Sequence, residues 1–365
     1  MDMSSQRELL HVGAACSIPQ VMIDLASAIS GAGPALGFGE CSTTSVSPEI
    51  CVVIGTSGST GSPKEVGISA SALVASARAS HKFLGAKPGQ QWSLLLPMIH
   101  IAAVNVLTRS VELGTSPIDL RTADKYMDAD FTAIVPTQLF RALNGDALLL
   151  NHLQKCQAVL VGGAALPDAI RKQATELGIN LVSTYGMTET TGGCVYNNQP
   201  LDGVALKISS QGLIAISGPV LASIYINDEK SWNRSIVDGS FITSDLGTFT
   251  DNKLTVDGRA DDVIISGGEK ISLSAVESAL QSRFPNIEFA AFAIADAEWG
   301  SALHVAIAGE STVSTSEITA FLSSSLGEIA KPKGFISLPS LPLISIGKVD
   351  RKALSLLMIH ERQMQ

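Results

Sequence analysis

An alternation of apolar strands and amphipathic helices between residues 50 and 187 constrains the fold most. The segment ICVVI (50–54) predicts a buried strand, and SASALVASARASHKFLG (69–85) predicts a helix with a serine start and a glycine stop. The alternation continues through WSLLLP, HIAAVNVLTRSVELG, SPIDL, FTAIVP, TQLFRALNG, AVLVGG, LPDAIRKQATELG and NLVSTYG. This pattern is typical of a mainly parallel α/β sheet covered by helices, with ligands bound at the carboxyl ends of the strands.

The pattern of predicted secondary structure changes after residue 204. Short strands punctuated by glycine predict a small β-subdomain, and a compact α+β unit follows the polar segment GRADD (258–262). We therefore predict a large N-terminal domain over residues 1–258 and a small α+β C-terminal domain over residues 259–365.

Composition restricts the class of protein. Of the 365 residues, 45% are hydrophobic and 16% are charged, which indicates a globular chain. The net charge of −9 argues against a broad basic surface for nucleic acid. Five cysteines without a C-x-x-C pair are typical of reduced thiols in the cytoplasm. We expect neither a signal peptide nor a membrane-spanning segment.

The loop GTSGSTGSPKEV (55–66) surrounds one lysine with small residues. Small residues let backbone N–H groups approach an anion closely, and Lys64 adds a positive charge, so the loop predicts a polyphosphate site. Its spacing differs from G-x-x-x-x-G-K-[ST], because Pro63 precedes the lysine and Gly58 and Gly61 are three apart. A flexible linker is the alternative interpretation of these residues alone.

Six stretches in this order resemble the adenylate-forming acyl-CoA synthetase superfamily from about residue 50 to the end of the chain. They are TSGSTGSPKEV (56–66), PMIHIAAVN (97–105), VGGAALP (161–167), STYGMTETTGGCVY (183–196), SDLG (244–247) with GRADDVIISGGEKIS (258–272), and PLISIGKVDRKAL (342–354). The resemblance implies an AMP-forming ligase that uses ATP, Mg²⁺ and CoA. It also implies that the residues before the loop are a remnant of a longer first subdomain.

The resemblance implies a role for specific residues in binding ATP. Glu189 matches the magnesium ligand, Asp245 would accept hydrogen bonds from the ribose hydroxyls, and Arg259 would support ribose or phosphate; a turn carboxylate and a surface arginine are the alternatives. The ATP-binding residues implied are Thr56, Ser57, Gly58, Ser59, Thr60, Gly61, Lys64, Gly163, Ala164, Thr184, Tyr185, Gly186, Met187, Thr188, Asp245, Arg259 and Lys348.

Lys348 resembles the lysine that approaches the carboxylate and the α-phosphate during adenylation. The catalytic residues implied by the resemblance are Lys348, Thr188, Glu189 and His100. Asp261 matches the hinge about which the C-terminal domain rotates between two half-reactions. The residues implied for the thiol channel of CoA are Ser266, Gly267 and Gly268, for which a plain turn between a strand and a helix is the alternative.

The narrower resemblance is to the 2-succinylbenzoate–CoA ligases of menaquinone synthesis, and it is carried by HIAAVNVLTRS (100–110) and TGGCVY (191–196). It implies an acyl pocket with His100 at its entrance and room for a flat ring at Gly192 and Gly193. The acyl-site residues implied are His100, Asn105, Arg109, Gly162, Gly186, Gly192 and Gly193. One carboxylate of the aromatic dicarboxylate must stay bound, and Arg109 is its candidate partner or else a helix-surface residue.

Two other functions stay open at this point. The chain could be another acyl- or aryl-CoA ligase of the superfamily, or a nonenzymatic nucleotide-binding regulator built on the same fold. The regulator is disfavoured because Lys64, Glu189, Asp245, Arg259 and Lys348 are all present. A homodimer is one candidate assembly.

Overall fold

The structure is a computed structural model, and it describes residues 6–13, 16–56, 64–285, 287–309, 313–344 and 348–364. The helices are α1 (Ile18–Ser30), α2 (Ala70–Leu84), α3 (Ile101–Leu113), α4 (Pro136–Leu143), α5 (Ala147–Lys155), α6 (Asp168–Glu176), α7 (Glu229–Ser235), α8 (Leu273–Arg283), α9 (Thr315–Leu326) and α10 (Arg351–Met364).

The strands follow in chain order, and short 3₁₀ turns lie at residues 188–190, 260–262 and 328–330. The strands are β1 (Arg7–Val12), β2 (Ala35–Phe38), β3 (Ser45–Val46), β4 (Ile50–Thr56), β5 (Lys64–Ser69), β6 (Trp92–Leu94), β7 (Ile118–Asp119), β8 (Phe131–Ile134), β9 (Ala158–Val161), β10 (Leu181–Met187), β11 (Gly192–Tyr196), β12 (Gln199–Pro200), β13 (Ala205–Ile208), β14 (Leu213–Ser217), β15 (Ile224–Tyr225), β16 (Ile236–Val237), β17 (Ser240–Thr250), β18 (Lys253–Arg259), β19 (Val263–Ser266), β20 (Glu269–Ser272), β21 (Glu288–Asp296), β22 (Gly300–Ala308), β23 (Gly334–Leu338), β24 (Leu343–Ile344) and β25 (Lys348–Val349).

Two sheets form the N-terminal part of the chain. One has the strand order β15-β5-β4-β2-β1-β3, and the other has the order β12-β11-β10-β9-β8-β6-β7. In the second sheet β7, β6, β8, β9 and β10 run parallel, and β11 and β12 continue it antiparallel. The predicted α/β class with a mainly parallel sheet is confirmed.

Helices α1, α2 and α3 share one apolar core with both sheets. Val52 and Ile54 of β4 face this core, whereas Ile50 and Val53 of the same strand face a second cluster on the outer side. Successive side chains of a strand point to opposite faces, so a strand that is buried on both sides reads as a continuous apolar run. The sequence ICVVI is therefore explained by its position between two apolar layers.

Helix α2 begins and ends where its sequence predicts. The Ser69 hydroxyl accepts a hydrogen bond from the Ala72 amide at 3.2 Å, and Gly85 follows the helix with a left-handed φ of 64°. A serine side chain satisfies a free amide of the first turn, and glycine adopts the left-handed conformation without a steric penalty. These caps fix the two ends of α2, the helix that packs against β4 and β5.

The hairpin of β4 and β5 differs from the prediction. The strands pair antiparallel, with Thr56 opposite Lys64, so Lys64 begins a strand and does not lie in a loop before the next helix. Strands β1 and β2 and helices α1 and α5 were also not predicted. Around β1, α1 and β2 the sequence has weaker periodic signals, and there β2 pairs with β4 and β1 pairs with β2.

The later part of the chain contains smaller sheets. The order β13-β14-β17-β16, with β18 beside β17, forms the predicted β-subdomain, and the order β20-β19-β22-β21, with β23 beside β22, forms the sheet of the C-terminal unit. Helices α8 and α9 contribute to a core on one face of that sheet, and α10 packs on the other face. The boundary between residues 258 and 259 stays a prediction. None of the helices within the described residues has the length and apolar character needed to cross a membrane.

Candidate active site

The carboxyl ends of the parallel strands carry most of the predicted residues. Strand β10 ends at Met187, and the turn that follows presents Thr188 and Glu189. The loop after β9 adds Gly163 and Ala164, both exposed. The phosphate-loop residues Ser57, Gly58, Ser59, Thr60 and Gly61 lie outside the described residues. The ends of that loop are described: the Thr56 hydroxyl donates to the Lys64 carbonyl at 3.2 Å.

Glu189 and Lys64 are brought together by a residue that the sequence analysis missed. The hydroxyl of Tyr225 donates to Glu189 Oε1 at 2.7 Å, and Lys64 Nζ lies 4.5 Å from the centre of the Tyr225 ring. Burial, and then the charge of Glu189, raise the pKa of Tyr225 far above its ordinary value, so the phenol remains a donor. Nothing in the local sequence ASIYIND marks this tyrosine.

A second tyrosine contacts the other carboxylate of the nucleotide motif. The hydroxyl of Tyr185 donates to Asp245 Oδ2 at 2.7 Å, and Arg259 Nη1 lies 3.4 Å from Asp245 Oδ1. Asp245 and Arg259 are directly paired across β17 and β18. Burial, and then Asp245, raise the pKa of Tyr185. The register of one antiparallel pair thus places the predicted ribose aspartate beside the predicted arginine.

Arg259 also holds the predicted hinge residue. Its Nη2 donates to Asp261 Oδ2 at 2.6 Å. Burial alone would lower the pKa of Arg259, but the hydrogen bond that it donates to Asp261 and the charge of Asp245 raise that pKa above its ordinary value. Arg259 therefore stays cationic and joins the β-subdomain to the turn at residues 260–262.

Three glycines allow close approach of backbone segments near the carboxyl edge. A side chain on Gly162 would collide with the Thr184 hydroxyl, one on Gly186 with the Gly192 carbonyl, and one on Gly192 with the amide of Asn105. Gly192 also has a left-handed φ of 85°. These positions are filled by protein, so glycine is required there for packing.

The role predicted for Gly192 and Gly193 does not fit this geometry. A Cβ on Gly193 would lie 3.2 Å from both Thr184 Cβ and the Tyr196 ring. The missing side chains therefore bring β11 against β10 and α3, and the space beside each Cα where a Cβ would lie is taken by protein rather than by a substrate ring. Only the backbone of these two glycines is available to a substrate.

Asn105 fixes the turn between Glu189 and β11. Its Nδ2 donates to the Thr191 carbonyl at 2.8 Å, and the Ser76 hydroxyl donates to the same oxygen at 3.2 Å. Thr191 is fully buried and has a left-handed φ of 51°, a conformation that surrounding contacts must hold in place. The Oδ1 atom of Asn105 is buried without a hydrogen-bond partner among the described residues.

Arg109 lies in the protein interior. Its side chain is 3% exposed, its Nη2 donates to the Tyr196 hydroxyl at 2.9 Å, and its guanidinium carbon lies 4.9 Å from the centre of the Trp92 ring. The alternative of a helix-surface arginine is wrong. No carboxylate forms an ion pair with Arg109 within the described residues.

Three nitrogen atoms around this arginine are buried and have no hydrogen-bond partner in the described part of the chain. They are Arg109 Nε, Trp92 Nε1 and His81 Nε2, and we call these three residues the Arg109 cluster. Burial, and then the charge of Arg109, lower the pKa of His81 to about 4. Buried polar atoms are rarely left without partners, because each costs about 1–3 kcal/mol. The cluster therefore has two free donors among the described residues, Arg109 Nε and Trp92 Nε1, that an anionic group or ordered water would satisfy, and the tautomer of neutral His81 decides whether its Nε2 donates or accepts.

The remaining predicted residues occupy separate positions. His100 is half-buried and is the N-cap residue of α3. Ser266 ends β19, and Gly267 and Gly268 form the turn to β20, so the turn joins two strands and not a strand and a helix. The Gly267 amide donates to the Trp299 carbonyl at 3.0 Å. Lys348 begins β25, and its side chain lies outside what the structure describes.

Arg351 is a further residue that sequence reasoning missed. Its Nη2 donates to both carboxylate oxygens of Glu277 at 2.9 Å, its Nη1 lies 3.4 Å from Asp262, and its Nε donates to the Ala291 carbonyl at 3.0 Å. This network joins the first turn of α10, directly after the strand that carries Lys348, to the residue next to Asp261. Burial raises the pKa of Glu277 by more than the charge of Arg351 lowers it, so the pKa lies above its ordinary value.

Magnesium fits the carboxylate at Glu189. The described residues contain no group of three or more His, Cys, Asp or Glu that could hold a metal ion by themselves. Mg²⁺ does not need such a group, because it is commonly bound by one or two carboxylates together with phosphate oxygens of a substrate. A single glutamate beside a phosphate-binding loop matches that donor set.

Comparisons with known proteins agree with this geometry. A profile of the family described as AMP-binding enzyme matches residues 14–233. A probable 2-succinylbenzoate–CoA ligase of Mycobacterium tuberculosis is 37% identical over 328 residues, which cover 85% of each chain. The 2-succinylbenzoate–CoA ligase of Lactococcus lactis is 30% identical, with 84% of this chain and 71% of that protein covered.

A solved structure is similar to this chain and carries a related name. The O-succinylbenzoate coenzyme A synthetase (MenE) of Bacillus subtilis, in complex with AMP, superposes with a TM-score of 0.74 and 25% identity, covering 86% of this chain and 70% of that one. The family match extends over more than half of the chain, and the Mycobacterium tuberculosis relative matches over 85% of both chains. The chain belongs to the AMP-binding enzymes and, among them, to the family of 2-succinylbenzoate–CoA ligases.

Proposed function

We propose that this chain is an AMP-forming acid–thiol ligase that converts 2-succinylbenzoate, ATP and CoA to 2-succinylbenzoyl-CoA, a step of menaquinone synthesis. Family membership supports the reaction type. The observation that supports a dicarboxylate substrate is the Arg109 cluster, which buries a cation without a carboxylate among the described residues.

The first half-reaction forms the acyl-adenylate. An oxygen of the substrate carboxylate attacks the α-phosphorus of ATP, and pyrophosphate leaves with the bonding electron pair. Asp245 would hold the ribose hydroxyls, and Lys64 would face the phosphates. Bound Mg²⁺, held by Glu189, would neutralise phosphate charge. Lys348 would stabilise the negative charge that develops on the phosphate oxygens, an effect worth about 3–4 kcal/mol for a single donor of this kind.

The second half-reaction transfers the acyl group to sulfur. The CoA thiolate attacks the activated carbonyl carbon, and AMP leaves. We assign the channel for the thiol to Ser266, Gly267 and Gly268, and we assign the hinge between domains 1–258 and 259–365 to Asp261. The contacts of two neighbouring aspartates support a hinge at this place, because Asp261 is bonded to Arg259 at the end of β18 whereas Asp262 is paired with Arg351 of α10.

Arg109 would retain the carboxylate that does not react. A carboxylate buried in the protein needs a cation or several donors to offset its desolvation. Three nitrogen atoms form no hydrogen bond within the described residues: Arg109 Nε, Trp92 Nε1 and His81 Nε2. Such a partner would distinguish a dicarboxylate from benzoate or a fatty acid.

Product analysis tests the proposed function. The protein is incubated with ATP, Mg²⁺, CoA and one acid from a panel of 2-succinylbenzoate, benzoate and octanoate, and nucleotides, pyrophosphate and thioesters are quantified. We expect AMP, pyrophosphate and a thioester in equal amounts, with 2-succinylbenzoate preferred. ADP as the product with every acid would contradict a ligase, and preference for benzoate or octanoate would identify another acyl- or aryl-CoA ligase.

Two further proposals concern the protein in the cell. A cytoplasmic location is supported by the five cysteines, all of which are free thiols in the structure. A homodimer is proposed as the assembly, and sedimentation equilibrium measures it directly.

A further inference from the structure

We propose that Tyr225 is a positioning residue that orients the Glu189 carboxylate for a magnesium–nucleotide complex. This inference rests on the proposed function, since it concerns how the same site receives ATP. Its basis is that one side chain contacts both charged groups expected to flank the phosphates.

The two ends of Tyr225 contact groups of opposite charge. The hydroxyl donates to Glu189 Oε1 at 2.7 Å, and the ring centre lies 4.5 Å from Lys64 Nζ. A cation over an aromatic face is attracted by the ring quadrupole, and a hydrogen bond to a carboxylate is stronger than one between neutral groups. Tyr225 therefore restrains both the carboxylate and the ammonium group.

The Tyr225 ring is itself held firmly. The side chain is 2% exposed. The ring of Trp232 packs against it edge to face with centroids 5.2 Å apart, and Phe241 stacks on Trp232 at 5.6 Å. A ring enclosed in this way has one available orientation, so the position of its hydroxyl is determined by the packing of the core.

The backbone around Tyr225 connects the same two regions. The Ala222 amide donates to the Glu189 carbonyl at 2.8 Å, and the Ile226 amide donates to the Glu65 carbonyl at 2.8 Å. Tyr225 itself pairs with Val66 across β15 and β5. The segment 222–227 therefore spans the distance between the turn of Glu189 and the strand that leaves the phosphate loop.

This arrangement gives the hydroxyl a specific function. It occupies one oxygen of Glu189 and limits rotation of the carboxylate, which leaves the other oxygen for a cation. Groups that orient a metal-binding side chain are worth about 10–100-fold in metal affinity. The ring, in contrast, acts on Lys64, whose charge contributes to ATP binding with or without a metal.

Isothermal titration of ATP with and without MgCl₂ tests the inference in the absence of acid and CoA, so that binding is measured without turnover. We expect Mg²⁺ to strengthen ATP binding by the wild type. In Tyr225→Phe this enhancement falls by about tenfold, whereas metal-free ATP binds within twofold of the wild type. Tyr126→Phe is the matched control, because its ring packs against His152 away from the site, and it keeps the full enhancement.

Tyr225→Leu separates the ring from the hydroxyl. We expect it to weaken metal-free ATP binding as well, since Lys64 loses its aromatic contact; thermal unfolding checks that the variant folds, and Tyr225→Phe suffices if it does not. An unchanged Mg²⁺ enhancement in Tyr225→Phe overturns the inference. Failure of the wild type to bind ATP at all would instead contradict the proposed function.

Discussion

Two arginines of this protein lie in very different electrostatic surroundings. Arg351 in the C-terminal unit is 29% exposed and is paired with two carboxylates, Glu277 and Asp262. Arg109 in helix α3 is almost fully buried, and within the described residues it contacts only neutral groups, the Tyr196 hydroxyl and the Trp92 ring. Of the two, the more buried cation is the one without a counter-charge in the described part of the chain.

This difference supports the proposal that Arg351 is a structural cation whereas Arg109 binds a ligand. A buried charge without a partner is expensive, and its cost falls when an opposite charge is bound. The charge of Arg351 is balanced inside the fold by Glu277 and Asp262. The arginine thereby connects α10, α8 and the turn at residues 260–262. Arg109 has no carboxylate partner among the described residues, and in our proposal the second carboxylate of the substrate supplies the negative charge.

The largest effect is expected at Lys348, three residues before Arg351. Lys348→Ala should slow adenylation by roughly 10²–10³-fold, because the charge that stabilises the transition state is removed. The transfer from preformed acyl-adenylate to CoA should retain much of its rate if, as we propose, the C-terminal domain rotates between the half-reactions and takes Lys348 out of the site. Single-turnover measurements of the two half-reactions check this, and equal losses in both would reject the division of labour.

The next largest effect is expected at Arg109. Arg109→Met keeps a long side chain in the interior and removes the charge, and it should lower kcat/KM for 2-succinylbenzoate by about 10²-fold, as expected for loss of a buried charged partner. ATP binding should be unchanged. The free energy of unfolding should stay level or rise, since replacing an uncompensated buried charge with a hydrophobic residue is often neutral or stabilising.

A different result for Arg109→Met would assign the second carboxylate to another part of the protein. If the steady-state constants for 2-succinylbenzoate match those of the wild type, Arg109 has only a structural role. The second carboxylate would then be held by backbone amides at Gly192 and Gly193 or by a bridging water.

Arg351→Met should show the opposite behaviour. We expect a loss of about 1–3 kcal/mol in the free energy of unfolding, because two carboxylates lose their cation in a half-buried site. The preference among acids should not change. Adding Glu277→Leu should restore part of the loss, because the remaining unpaired charge is removed. Denaturant titrations of the single and double variants measure this, and a stable single variant would contradict the structural role.

The smallest effect is expected from the pH dependence of the Arg109 cluster. The pKa of His81 is lowered to about 4 in the folded protein, so the folded state prefers neutral His81. Its contribution, on the order of 1–3 kcal/mol, is fully present above about pH 6.5 and is lost as the pH falls toward 4. The difference in unfolding free energy between the wild type and His81→Gln should follow this curve.

The pKa of His81 also tests the electrostatic coupling between His81 and Arg109. Because the charge of Arg109 contributes to the lowered pKa, Arg109→Met should raise the pKa of His81 in an NMR titration. A pKa that does not move in the variant would show that the two side chains are not electrostatically coupled, and the Arg109 cluster would lose its basis.

Sequence reasoning predicted what lies close together along the chain or in a strong motif. The parallel sheet followed from the alternation of apolar strands and helices, and Asp245 and Arg259 were placed in one nucleotide motif. Strand register then explains why these two side chains meet. Helix caps at Ser69 and Gly85 were also predictable, because capping depends on a few neighbouring residues.

The remaining features depend on contacts between distant segments. Tyr225 reaches Glu189 across 36 residues because β15 pairs with β5, and no local pattern indicates that pairing. Burial excludes the helix-surface interpretation of Arg109, and burial is a property of packed elements. Gly192 was assigned to an open pocket because a sequence does not reveal that Asn105 fills the space beside it.

The preference of the wild type among three acids tests the central claim most directly. The acids are 2-succinylbenzoate and two analogues that each lack one of its carboxylates, and kcat/KM is measured for AMP formation with each. If Arg109 binds the second carboxylate, 2-succinylbenzoate should exceed the better analogue by about 10²-fold, and Arg109→Met should abolish most of that advantage. An analogue used as efficiently as 2-succinylbenzoate by the wild type would contradict the account.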